Sequence, residues 1–118
     1  MVSFEVDGKP VRLSDGERLL DLAKVYPGSA VLGVEGERWS EVRFAFESEA
    51  RGTISLAYCN DWFGELFLNS QPVARSLHGP YPNWTAIRLD VREGRNEVLF
   101  RTRCGSAGNW LCGFRLIR

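Results

Sequence analysis

Residues 41–47 read Glu-Val-Arg-Phe-Ala-Phe-Glu, with Val42, Phe44 and Phe46 on one side and Glu41, Arg43 and Glu47 on the other. A period of two fits a half-buried β-strand and not a helix. The pattern recurs along the chain. Ile54, Leu56 and Tyr58 share one face of residues 53–59, and Ile87, Leu89 and Val91 one face of residues 84–91. Further strands are predicted over residues 3–6, 10–13, 30–34, 65–69, 97–103 and 109–117, with Val73 opening another. The segments between them carry turn chemistry: Asp7-Gly8, Ser14-Asp15-Gly16, Asn69-Ser70-Gln71-Pro72 and Glu93-Gly94-Arg95-Asn96. Gly94 is expected at a positive φ. Only residues 19–26 have helix-type spacing (Leu19, Leu22, Ala23, Tyr26), cut off by Pro27-Gly28, which predicts a short helical turn or an extended arm. About eight short strands at intervals of roughly 8–12 residues predict an all-β fold, an antiparallel β-sandwich or jelly roll.

Strand reversal then places the loops. In an antiparallel sandwich successive connections lie at opposite ends. Connections at 36–39, 60–63, 77–83 and 105–109 therefore fall at one end, and those at 49–52, 69–71 and 92–95 at the other. The second set is tight and polar. The first is longer and glycine-rich, and the four tryptophans, Trp39, Trp62, Trp84 and Trp110, fall in it or border it. Loops grouped at one end of a rigid scaffold are where binding sites are usually built.

The 118 residues suit one domain over 1–118, with an N-terminal arm and first strands over 1–29 and a core sandwich over 30–118. Fifteen basic and fifteen acidic residues cancel, so nothing draws the chain toward a phosphate backbone and no nucleic-acid partner is expected. The sequence lacks the long apolar run of about 18 residues that spans a membrane, and its first ten residues lack the apolar core of a signal peptide. The last strand runs to Arg118 without a tail, as in a domain cut from a longer protein. Two readings stand for the three cysteines. Cys104 and Cys112 could bridge a hairpin in a secreted protein, whereas small buried thiols are the commoner outcome. A zinc site from Cys59, Cys104, Cys112 and His78 lacks any Cys-x-x-Cys pair, so no metal ligands are assigned.

An ordered set of segments resembles the galactose-binding-domain-like β-sandwiches appended to bacterial glycoside hydrolases. The segment from Gly52 through Asp61-Trp62 to Glu65-Leu-Phe-Leu-Asn69-Ser-Gln-Pro-Val73 resembles their "sDDw…vylNGkpV" stretch. Residues 93–99, Glu-Gly-Arg-Asn-Glu-Val-Leu, resemble "kGkNeilv". The final Gly-Asn-Trp110-Leu-Cys-Gly-Phe114-Arg-Leu resembles "G.ggWgf.lRi", and Leu20-Asp21-Leu22 matches an early "vDL". The likeness covers roughly residues 19–118 in the right order. It implies a carbohydrate-binding module or a structural spacer, with a parent catalytic domain as a partner and a secreted or periplasmic setting. Calcium is frequent in such domains, but Asp7, Asp15 and Asp21 are scattered and form no dense oxygen cage, so no cofactor is assigned. The turn is Asn69-Ser70 where the family has Asn-Gly, and the loop over 76–83 is short for the family.

The loop end carries what a sugar needs. Flat indoles and phenols cover its apolar C–H faces, and amides and carboxylates take its hydroxyls. The candidate ligand-binding residues are Tyr81, Trp62, Trp84, Trp39, Asn60, Asp61, His78, Asn83 and Asn109. Tyr81, between Pro80 and Pro82, is the aromatic best held for display. The resemblance implies a core position for Trp110, and Asp61 also suits a turn that bonds its own backbone. Gly64, with Gly79, Gly105 and Gly108, would let the backbone approach a ligand. Glycoside hydrolysis needs two carboxylates across a bond, and no positioned pair is evident, so catalysis is not expected. The function expected is non-catalytic carbohydrate binding; the alternative is an interaction module that packs on a catalytic domain or on a second copy.

Overall fold

The computed structural model describes residues 3–13, 19–26, 39–61, 63–78, 83–103 and 110–117, with the side chains of Ser76 and His78 left aside. The expected strand at 30–34 lies outside the described residues. Among the described residues there are ten strands and one helical turn: β1 (Ser3–Val6), β2 (Lys9–Arg12), β3 (Leu20–Asp21), α1 (Leu22–Val25), β4 (Trp39–Ser48), β5 (Gly52–Asp61), β6 (Phe63–Leu68), β7 (Gln71–His78), β8 (Thr85–Val91), β9 (Gly94–Arg103) and β10 (Leu111–Ile117). They make a six-stranded sheet in the order β2-β1-β4-β9-β6-β7 and a four-stranded sheet in the order β3-β10-β5-β8. Every pairing is antiparallel.

The alternation in the sequence sets which side of each strand is buried. Along β4 and β9 the inward set is Val42, Phe44, Phe46, Val98 and Phe100. Rings fill the space between the sheets: Phe114 of the smaller sheet lies 5.2 Å from both Phe44 and Phe100 and 6.2 Å from Phe4. Edge and tilted contacts of this kind suit the ring quadrupole. In β5 the alternation fails, because residues from Leu56 to Asn60 are all buried. The strand lies between β10 and β8, and both of its faces are covered there.

Residues 19–26 resolve into both predicted alternatives in succession. Leu20–Asp21 pairs with Leu111–Cys112, and then Asp21 caps α1 by accepting a hydrogen bond from the Ala23 amide at 3.0 Å. The turn docks on the core because the Leu22 amide donates to the Trp110 carbonyl at 2.8 Å. Trp110 has no exposed surface. Its indole stacks on Tyr26 at 5.8 Å, and its Nε1–H donates to Thr102 Oγ1 at 3.3 Å. The Tyr26 hydroxyl in turn donates to the Asp7 carboxylate, which also accepts from Ser40 Oγ and the Glu41 amide. Residues 3–13 and 19–26 are thus tied into both sheets.

At the polar end Asn69 and Ser70 both have positive φ, 49° and 69°, so the turn keeps the twist that Asn-Gly would give. Gly94 is also positive, at 89°. Asn96, fully buried, accepts from Asn69 Nδ2 and the Arg92 amide and donates to the Arg92 and Gly94 carbonyls. Cys59 and Cys112 are buried free thiols, and Cys104, the other half of the expected hairpin bridge, lies outside the described residues. Burial raises the pKa of both, with Asp61 adding to Cys59 and Cys59 to Cys112.

Candidate functional site

The register gathers the start of β4 and the ends of β7 and β9 at one end of the larger sheet. Trp39 stands opposite Arg103, Arg103 opposite Phe63, and Phe63 opposite His78. In the smaller sheet Leu111 stands opposite both Asp21 and Asp61 at that same end. β5 and β6 belong to different sheets and only residue 62 separates them, so the predicted turn at 60–63 is a single-residue step from one sheet to the other.

Trp39 is a strand residue rather than part of a loop. It is 40% exposed, and its ring meets Phe63 edge-on at 5.9 Å and 86°. The guanidinium of Arg101 lies 5.0 Å from the Trp39 ring centre and that of Arg103 5.6 Å, and Arg103 also lies 5.1 Å from Phe63. All three distances suit cation–π attraction. Arg101 bridges Glu65 at 3.2 Å and Glu41 at 3.6 Å. Glu41 continues to Arg43 at 2.9 Å, and Arg43 to Glu97 at 3.7 Å. The outward face of the larger sheet is therefore a ladder of alternating charge, ending in aromatic rings at the loop end. Sequence reasoning missed Arg101, Arg103, Glu41 and Glu65 because each looks like an ordinary solvated strand residue until the register aligns them.

Trp84 is 41% exposed and directly precedes β8; Asn83 beside it is exposed. Among the described residues, Trp39, Trp84 and Ile117 are the large hydrophobic side chains left exposed. Asp61 is half-buried as the last residue of β5, and burial raises its carboxyl pKa. Asn60 is fully buried and its amide donates to the Leu77 carbonyl at 3.4 Å. That corrects its candidacy: it holds β5 to β7 beneath the loop end instead of facing solvent. His78 is the last residue of β7 rather than a loop residue, and its side chain is outside the description. Tyr81, Trp62 and Asn109 lie outside the described residues. Gly64 also departs from expectation. It is buried in β6, and a Cβ there would sit 2.1 Å from Phe100 Cζ, so the missing side chain makes room for a core ring and not for a ligand. Among the described residues no three His, Cys, Asp or Glu side chains form a metal-binding group.

No protein-family model matches the chain, and no curated protein matches it in sequence. Solved structures match in fold. Part of a beta-glucosidase from Kluyveromyces marxianus, in complex with glucose, aligns with TM-score 0.66 at 10% identity, covering 99% of this chain and 16% of that one. Part of the GH31 alpha-xylosidase from Xanthomonas citri aligns with TM-score 0.54 at 15% identity, covering 97% of this chain and 13% of that one. A family 35 carbohydrate-binding module from Cellvibrio japonicus covers 100% of this chain and 93% of its own at 17% identity, with TM-score 0.48, a superposition too loose to bear on function. The chain thus spans less than a fifth of the two glycosidases and has the β-sandwich fold found within them.

Proposed function

We propose that this domain is a non-catalytic carbohydrate-binding accessory module of a polysaccharide-degrading enzyme, with its site at the loop end of the sandwich. One observation carries the reading: the two described tryptophans that keep two-fifths of their surface in water both stand at that end. A half-exposed indole offers a large, flat apolar face with a polar handle, and a sugar's C–H face is a natural cover for it. Trp39 and Trp84 supply the rings. Asn83 and Asp61 supply hydrogen-bonding groups, with Tyr81, Trp62, His78 and Asn109 as further candidates from the adjoining segments. The same fold occurs within a beta-glucosidase and an alpha-xylosidase, both sugar-processing enzymes, which supports the same reading.

The competing reading is a docking surface for a catalytic domain or a second copy of the chain. It is favoured by the small share of the glycosidase chains that this fold occupies, 16% and 13%. The centre of a docking surface is expected to be poor in acidic side chains, whereas the Glu41 and Glu65 carboxylates stand one row from Trp39, on Arg101. Affinity electrophoresis against a panel of soluble polysaccharides decides between them. Retardation by at least one glycan, with a Kd between about 1 mM and 1 μM, is the expected result. Free migration through every gel, together with self-association or capture by a catalytic domain, would favour the docking surface.

A further inference from the structure

We infer that the glycan lies on the outward face of the larger sheet, against Trp39, and that it is a neutral sugar rather than an acidic one; this rests on the carbohydrate reading above. The two outer rows nearest the loop end are Trp39–Arg103–Phe63 and Glu41–Arg101–Glu65, each running across β4, β9 and β6. Three adjacent strands span about 10 Å, and the two rows lie about 7 Å apart along the strands. A patch of that size takes one or two sugar rings.

Its chemistry selects the class. Trp39 offers a flat, partly exposed ring, fixed by the edge of Phe63 and by the guanidiniums of Arg101 and Arg103. Below it, Arg101 links the Glu65 and Glu41 carboxylates. A hydroxyl both donates and accepts, so neighbouring hydroxyls on a sugar fit a carboxylate set beside a guanidinium: the first accepts a hydrogen bond and the second donates one. Arg101 and Arg103 contribute two positive charges, and Glu41 and Glu65 two negative ones. Among the described residues the patch carries no surplus charge to draw a uronate or a phosphate, whose carboxylate or phosphoryl oxygens would meet Glu41 and Glu65 unfavourably. Binding to a balanced patch is also only weakly screened by salt.

The test uses the intact domain on gels containing neutral polysaccharides (a β-glucan, a xylan and a galactomannan) or acidic ones (polygalacturonate and alginate), at low and high salt. The variants are Trp39→Ala, Glu65→Gln and Trp84→Ala, each checked for unchanged far-UV circular dichroism. Expected are retention by a neutral glycan at both salt levels, about a tenfold or greater loss of affinity with Trp39→Ala, and a several-fold loss with Glu65→Gln, which keeps shape but weakens the acceptor. If Trp39→Ala and Glu65→Gln bind like the parent while Trp84→Ala does not, the carbohydrate reading survives and the face assignment is overturned. Retention by acidic glycans alone, lost at high salt, overturns the neutral class. A parent that no glycan retains ends the carbohydrate reading and this inference together, and a dimer dispersed by Trp39→Ala assigns the face to self-association instead.

Discussion

Replacing Gly64 by alanine is expected to destabilise the domain far more than a single added methyl group usually does. The new Cβ would sit 2.1 Å from Phe100 Cζ, 2.3 Å from Cε1 and 3.1 Å from Cε2. Carbon atoms in contact prefer about 3.5–4.0 Å, so either the ring or the strand must move by about 1.5 Å. The ring has little room to retreat. Phe100 is fully buried and meets Phe114 at 5.2 Å. The strand is held as well, because Thr102 Oγ1 donates to the Phe63 carbonyl at 2.9 Å, next to the substituted residue. Overpacking of this kind costs typically 1–3 kcal/mol, and rigidity on both sides puts Gly64→Ala near about 3 kcal/mol. With a urea m-value of about 2 kcal/mol/M, the unfolding midpoint falls by about 1.5 M. A double-mutant cycle with Phe100→Leu isolates the cause. With the smaller side chain in place, the alanine should cost at least about 1 kcal/mol less. A Gly64→Ala midpoint within about 0.3 M of the parent, or an equal cost in both backgrounds, refutes the argument.

Three further outcomes follow from other parts of the fold. Asn96→Ala removes four hydrogen bonds from a buried amide and is expected to cost about 2–4 kcal/mol by urea unfolding, with little effect on any glycan affinity because it acts at the far end. Ser70→Gly relieves a φ of 69° and should raise stability by about 0.5–1 kcal/mol in the same assay. Asp61 holds its proton more tightly in the folded protein than in the unfolded chain, because burial raises its pKa above the ordinary 3.8. Its contribution is therefore most favourable below that value and is lost as pH rises through the folded pKa. Asp61→Asn should match the parent in thermal melts near pH 3 and exceed it at neutral pH; a difference of the opposite sign contradicts the burial argument.

The sandwich was legible because strands such as β4 and β9 bury one face each, and alternation such as Val42-Arg43-Phe44 writes that fact into the sequence. The loop end was legible for the same reason: antiparallel reversal needs only the number of strands and not their partners. Trp110 was expected in the core because the resembling sandwiches use the matching position structurally, and it is fully buried with its indole N–H donating to Thr102. Pairing between non-neighbours was not readable. Trp39 meets Phe63 only because β9 lies between β4 and β6, and nothing local in either segment specifies that order. Asn60 and Gly64 were misread for a related reason. An asparagine and a glycine near an aromatic turn look like ligand chemistry, until Leu77 and Phe100, far along the chain, turn out to occupy the space beside them.

The claim that a sugar covers the exposed indole of Trp39 is tested most directly by following the four indole N–H signals of the nitrogen-15-labelled protein as a neutral oligosaccharide is added. The account predicts a saturable shift of the Trp39 signal, a fixed Trp110 signal beside Thr102, and no change in the Asn69 and Asn96 side-chain amides. A titration that leaves Trp39 still while another indole moves, or that leaves every indole still for all sugars tried, contradicts it.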